Sequence, residues 1–135
     1  MNVLVVDDDP IVRLILRRIL QHHFDATTVE AANGVEALLA LDASTFDLVV
    51  LDLRMPVMDG LTVLRTIRAK ACLASLPVVV LTADRSDDNV QQFIRLGVSD
   101  YLTKPLKGAH IVERLTYILS HLPTAPVASA SCVAG

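Results

Sequence analysis

Residues 3–10 read Val3-Leu4-Val5-Val6-Asp7-Asp8-Asp9-Pro10, four apolar side chains that stop abruptly at three carboxylates and a proline. An apolar run this short, with three valines, predicts a strand buried on both faces rather than one with a solvated side. A helix signal follows at once. Asp9 can accept an otherwise unpaired amide hydrogen, and Pro10 suits the first helical position, where no amide hydrogen is needed. Ile11, Leu14, Ile15 and Ile19 then recur at helical spacing, interleaved with Arg13, Arg17 and Arg18, to about His22. A buried strand thus runs through an acidic turn into an amphipathic helix.

The same alternation continues to the C-terminal third. Residues 26–29, 48–51, 78–81 and 98–102 predict four further strands. Between them, Asn33 with Glu36 resembles a capping box for a helix reaching about Leu41. Met55 to Gly60 forms a turn-rich loop before a helix carrying Leu61, Leu64 and Ile67 to about Lys70. Ser86 caps a helix through Leu96, closed by Gly97, and a last helix runs from about Leu106 to His121, ahead of Pro123. Strands alternating with helices imply βαβ units and a parallel sheet. The 135 residues, 53 % hydrophobic but only 4 % aromatic and without Trp, give the Val/Leu/Ile/Ala mass that such a sheet buries. One α/β domain over residues 1–122 is expected, followed by an Ala/Ser/Pro tail or the start of a linker over 123–135.

Several function classes drop out. A net charge of −3 gives no electrostatic footprint for nucleic acid. The mean hydropathy of +0.51 raises the question of a membrane, but the uncharged run after Lys70 is broken by Pro77 and ends at Asp84, too short to span one. The apolar N-terminal run lacks a basic region and stops at Asp7, unlike a secretory signal, so a cytoplasmic location is expected. Cys72 and Cys132 lack metal-ligand spacing and are expected to be free thiols.

Polar residues that look out of place stand at the C-terminal ends of the strands: Asp7 and Asp8, then Asp52, Thr82 and Lys104. In open α/β sheets ligands bind at that edge. Three carboxylates so placed repel unless a cation neutralises them, and oxygen-only ligands suit a hard ion such as Mg²⁺. Lys104 adds a point charge and Thr82 a hydroxyl, both suited to phosphoryl oxygens. A metal, a nucleophilic carboxylate and a cation together describe phosphoryl transfer to aspartate.

Four segments then carry a family resemblance: Val5-Val6-Asp7-Asp8-Asp9; Leu51-Asp52-Leu53-Arg54-Met55-Pro56 with Met58-Asp59-Gly60; Leu81-Thr82-Ala83; and Tyr101-Leu102-Thr103-Lys104-Pro105. In order and each at its strand end, they resemble the receiver (CheY-like) domain of two-component response regulators. The resemblance implies a doubly wound (βα)5 flavodoxin-like three-layer sandwich whose parallel five-stranded sheet has the order 2-1-3-4-5; the strand order is that of the family, not a reading of these residues. It implies that Asp52 takes a phosphoryl group from a histidine kinase or histidine phosphotransfer protein. Asp7, Asp8, Asp52 and the backbone carbonyl of Arg54 would hold Mg²⁺, with Mn²⁺ as an alternative, Asp7 mainly through water. Thr82, the Ala83 backbone N–H and Lys104 would bind the phosphoryl group. Thr82 and Tyr101 would form the switch that alters the surface of helix 4, strand 5 and helix 5. The Lys104–Pro105 bond would be cis.

The output would pass to a downstream effector protein or to an output domain in a longer regulator, with the chain a monomer or a phosphorylation-dependent dimer. Such a domain is a signalling module with at most slow autophosphorylation and autodephosphorylation, not an enzyme proper. The competing enzyme reading is a Mg²⁺-dependent aspartyl-phosphate hydrolase of the haloacid dehalogenase type. That family wants a second Asp two residues after the nucleophile, where this chain has Arg54. Flavin binding is disfavoured because Asp7, Asp8 and Asp9 would repel its phosphate. Asp9 and Asp59 read as helix caps and turn residues. The four histidines, His22, His23, His110 and His121, read as structural, and Arg13, Arg17 and Arg18 as a solvated helix face. Arg54 and Asp84, each two residues past a site residue, could pair across its mouth.

Overall fold

A computed structural model describes residues 1–55, 57–83 and 90–121. Five parallel strands, β1 (Asn2–Val6), β2 (Thr27–Ala31), β3 (Leu48–Asp52), β4 (Val78–Thr82) and β5 (Asp100–Thr103), lie in the order β2-β1-β3-β4-β5. Helices α1 (Pro10–Phe24), α2 (Gly34–Ala43), α3 (Gly60–Ala69), α4 (Val90–Arg95) and α5 (Gly108–Ser120) connect or follow them, with a 3-10 turn over Ala71–Leu73. This is the doubly wound sandwich expected.

Strand pleating divides the core in two. Val3, Val5, Leu48, Val50, Val79, Leu81 and Leu102 meet Leu16 and Leu20 of α1 and Ile111, Leu115 and Ile118 of α5. Their neighbours Leu4, Val6, Val49, Leu51, Val78 and Val80 point the other way, toward α2, α3 and Phe93 of α4. Because both faces are covered, β3 and β4 are buried along their whole length, and the polar residues at their ends are held by buried backbone.

Two strands begin later than expected, for the same reason. Asp25 ends α1 in the left-handed region (φ 50°), and Ala26 donates back to the Leu20 carbonyl at 3.2 Å. Ala26 thus belongs to the helix cap, and β2 starts at Thr27. After α4, Gly97 (φ 72°) reverses the chain and Val98 donates to the Phe93 carbonyl, so β5 starts at Asp100 rather than 98. The last helix starts at Gly108 because Lys107 is extended. The expected cap Ser86 and the tail from residue 123 lie outside the described residues. Cys72 is disulfide-bonded, which corrects the expectation of a free thiol: spacing along a chain does not report which thiols a fold brings together. Cys132 lies outside the described residues. Among the described residues no helix is long and apolar enough to cross a membrane.

The caps behave as their chemistry requires. Asp9 accepts from the Ile11 amide at 2.9 Å, Asn33 from Glu36 at 2.9 Å and Asp59 from Thr62 at 2.8 Å. Arg68 closes the far end of the sheet. Its guanidinium donates to the carbonyls of Leu96 (2.6 Å), Leu76 (2.8 Å), Leu73 (3.1 Å) and Gly97 (3.1 Å), tying α3 to the end of α4 and to the turn before β4. Arg68→Ala leaves those carbonyls to water and is expected to cost about 2 to 3 kcal/mol, since bonds to a charged donor exceed neutral ones. A urea midpoint that does not move would refute this.

Candidate functional site

The strand ends bring the site together. Asp7 follows β1, still held to the sheet by its amide donating to the Ala31 carbonyl at 3.1 Å, and it is fully buried. Its Oδ1 accepts from the Asp9 amide at 2.9 Å, which folds the chain sharply and turns Asp8 outward to an exposed position. Asp52 ends β3 with only 4 % exposure, and its Oδ1 accepts a long bond from the Arg54 amide at 3.4 Å. Thr82 ends β4, also buried, and Ala83 beyond it is exposed.

Lys104 is placed by the sheet as well. Its amide donates to the Thr82 carbonyl at 2.8 Å, and its ammonium reaches back over the edge to Asp7 Oδ2 at 2.9 Å and Asp52 Oδ2 at 3.4 Å. The Lys104–Pro105 peptide is cis, as the resemblance implied. Tyr101, in β5, is half-buried against the core layer that holds Phe93.

One ammonium does not balance the carboxylates. Burial and the Asp7 charge push the Asp52 carboxyl up to about 6, against the opposing pull of Lys104 and the Arg54 amide. Burial alone would lower the Lys104 ammonium, but hydrogen bonding and charge from Asp7 and Asp52 outweigh it and hold its pKa above the ordinary lysine value. The uncompensated negative charge at this edge is what a further cation would offset.

Ligand atoms of Asp7, Asp8 and Asp52 all lie within 4.8 Å of one another. Asp7 Oδ2, though buried, accepts no hydrogen bond from the described residues beyond its ion-pair contact with Lys104. A buried carboxylate oxygen with spare acceptor capacity, beside two more carboxylates, fits a hard divalent cation with oxygen ligands.

The predicted site residues Asp7, Asp8, Asp52, Arg54, Thr82, Ala83 and Lys104 therefore share one edge. Asp9 and Asp59 act as caps, and His22, His23, His110 and His121 are exposed. The suggested partner of Arg54, Asp84, lies outside the described residues. Sequence reasoning missed Arg13. Far from being a solvated face residue, it donates from Nη1 to the Asp7 carbonyl at 2.6 Å. A signal was available: helical side chains lean toward the N-terminus, so an arginine in the first turn of α1 overhangs the preceding acidic turn.

Residues 3–116 match the family model for the response regulator receiver domain. The chain is 36 % identical over 122 residues to chemotaxis protein CheY-3 of Vibrio cholerae serotype O1, covering 90 % of this chain and 94 % of that protein. It is 34 % identical to chemotaxis protein CheY of Pseudomonas aeruginosa, covering 90 % and 98 %. Among solved structures, chemotaxis response regulator CheY4 of Vibrio cholerae superposes with a TM-score of 0.81 at 28 % identity, over 87 % of this chain and 97 % of that one. The receiver domain of a sensor histidine kinase from Pseudomonas aeruginosa, solved with magnesium coordinated in its active-site cleft, superposes with a TM-score of 0.78 at 27 % identity, over 88 % and 97 %.

Proposed function

The chain belongs to the response regulator receiver family, and on that premise we propose that it is a phosphoacceptor that takes a phosphoryl group onto Asp52 from a histidine kinase or a histidine phosphotransfer protein. The observation that carries this reading is the Lys104 ammonium bridging two buried carboxylates, Asp7 and Asp52, at 2.9 and 3.4 Å.

Each residue then has a task. A carboxylate oxygen of Asp52 attacks phosphorus in line, the P–N bond to the donor imidazole breaks as the P–O bond forms, and the imidazole takes up a proton. Asp7, Asp8, Asp52 and the Arg54 carbonyl would hold the divalent cation. When bound, Mg²⁺ would neutralise carboxylate and phosphoryl charge together. Lys104, already within reach of Asp52, would follow the charge onto the phosphoryl oxygens. Thr82 and the Ala83 amide, beside Asp52 on the next strand, would complete the hydrogen bonding. Thr82 moving toward the phosphoryl group would let Tyr101 turn inward and alter the face formed by α4, β5 and α5. That face would meet a downstream effector or an output domain, with the chain a monomer or a phosphorylation-dependent dimer. The reading is of a cytoplasmic signalling module whose autophosphorylation and autodephosphorylation are slow, with residues 123–135 as a tail or linker.

Acetyl phosphate with Mg²⁺ is expected to add one phosphoryl group to the intact protein, seen by mass, and to add none to Asp52→Asn. An unmodified wild-type protein would sink the active-receiver reading. A phosphoryl group that survives the substitution would move the acceptor elsewhere.

A further inference from the structure

Arg13 stands in the first turn of α1 and makes two contacts at once. Nη1 donates to the main-chain carbonyl of Asp7 at 2.6 Å, and Nε pairs with Glu30 Oε1 on β2 at 3.2 Å. The other oxygen of Glu30 is held by Arg17 at 3.1 Å. The Arg13 side chain is 18 % exposed against 40 % for Arg17, although both lie on the same helix. Arg13 is therefore folded inward over the acidic turn, and Glu30 fixes the guanidinium from its far side.

The carbonyl it holds belongs to the peptide between Asp7 and Asp8. Fixing that peptide plane sets the last torsion of Asp7 and the first of Asp8, and hence the directions of both side chains. The Asp7 carboxylate is fixed independently by the Asp9 amide at 2.9 Å. The turn is thus pinned from two sides, and Arg13 supplies the only one of the two that comes from a side chain on another element.

We propose that Arg13, anchored by Glu30, is a positioning residue for divalent-cation binding at Asp7 and Asp8. The inference rests on the reading of Asp7, Asp8 and Asp52 as a cation site. A bare guanidinium beside that site would repel a cation, but the Glu30 carboxylate offsets its charge, which leaves the geometric effect dominant. Groups that orient metal ligands from behind commonly change affinity by about 10- to 100-fold when removed.

The test is a Mg²⁺ titration of the full chain followed by calorimetry, with amide hydrogen exchange measured on the metal-free protein. Arg13→Ala and the charge-preserving Arg13→Lys are each expected to weaken Mg²⁺ binding about 10-fold, because lysine lacks the fork that spans Asp7 and Glu30. Arg17→Ala, which also touches Glu30 but not the turn, is expected to bind as wild type does. In metal-free Arg13→Ala the Asp9 amide exchanges faster while amides of β3 keep their protection. Arg13→Ala binding Mg²⁺ as tightly as wild type, while Asp8→Asn abolishes binding, overturns the inference alone. Equal losses in Arg13→Ala and Arg17→Ala also overturn it, by reducing the effect to general loosening of α1. Asp8→Asn binding as tightly as wild type instead overturns the cation-site reading and takes the inference with it.

Discussion

Asp52→Asn raises the stability of the metal-free protein, although it removes the residue on which the proposed function depends. The folded protein holds the Asp52 carboxyl at about 6, above its ordinary value of 3.8, through burial and the neighbouring Asp7 charge. For an acid raised on folding, the native state binds the extra proton. Stability therefore falls as pH rises from about 3.8 to about 6 and stays reduced above that range. The gap corresponds to about 3 kcal/mol at neutral pH, since each unit of pKa is worth about 1.4 kcal/mol. An amide of the same shape carries no such penalty, and Lys104 keeps its 2.9 Å partner Asp7. A gain of roughly 1 to 3 kcal/mol, or several degrees in Tm, is expected at pH 8 in a chelator. The advantage shrinks toward pH 4, where the wild-type carboxyl is protonated in the folded state.

Mg²⁺ is expected to reverse the ranking. Wild type is expected to gain about 2.7 kcal/mol at a concentration one hundred times its Kd, whereas the variant lacks one of the three proposed carboxylate ligands and is expected to gain less. Thermal melts at pH 4 and pH 8, with and without Mg²⁺, measure all four cases. A variant less stable than wild type at pH 8 without metal would show that Asp52 is not held against repulsion and burial.

The legibility of this fold and site in the sequence follows from the range of the interactions involved. Val3 to Val6 and Leu48 to Leu51 announce buried strands because the two-sided burial of a parallel sheet is a local pattern. Asp9, Asn33 and Asp59 announce helix starts because a cap bonds only two or three residues ahead. The neighbour order of the strands has no such local trace, and here it came from family resemblance. The beginnings of β2 and β5 were misplaced where a left-handed residue, Asp25 or Gly97, draws one or more further residues into a helix cap. An aspartate in that conformation is less conspicuous than a glycine.

The site was legible for a different reason: charged residues at the ends of apolar strands are conspicuous against their surroundings. Arg13 and Arg68 were not. Both sit on amphipathic helices among other basic residues, and what distinguishes them is the main-chain carbonyls that they reach, at Asp7 and at Leu73, Leu76, Leu96 and Gly97. Such contacts depend on where long side chains go after the fold has formed, and periodicity does not encode them.

Gly60→Ala is expected to be among the most damaging single-methyl changes available. Gly60 opens α3 and is buried, with its amide donating to the Leu53 carbonyl at 2.9 Å. A Cβ there would stand 2.3 Å from the Asp52 carbonyl oxygen and 2.7 Å from the Leu53 Cα. Neither atom can yield cheaply. Both belong to the main chain at the end of β3, which is paired with β1 on one side and β4 on the other, and Leu53 itself donates to the Leu81 carbonyl at 3.1 Å. Overpacking against side chains costs about 1 to 3 kcal/mol, and backbone relaxes less readily, so about 3 kcal/mol or more is expected. The better helix propensity of alanine, worth about 1 kcal/mol at most, does not offset this. Gly108, which opens α5 with nothing within 4 Å of its would-be Cβ, supplies the contrast: Gly108→Ala is expected to be neutral or to stabilise by up to about 1 kcal/mol. Because α3 must back away from the peptide that carries Asp52, Gly60→Ala also slows modification by acetyl phosphate, measured at a temperature where the variant is still folded. Equal urea midpoints for Gly60→Ala and Gly108→Ala would mean that α3 is free to shift, and that the loop between Asp52 and Gly60 is not fixed by the close approach of these two backbones.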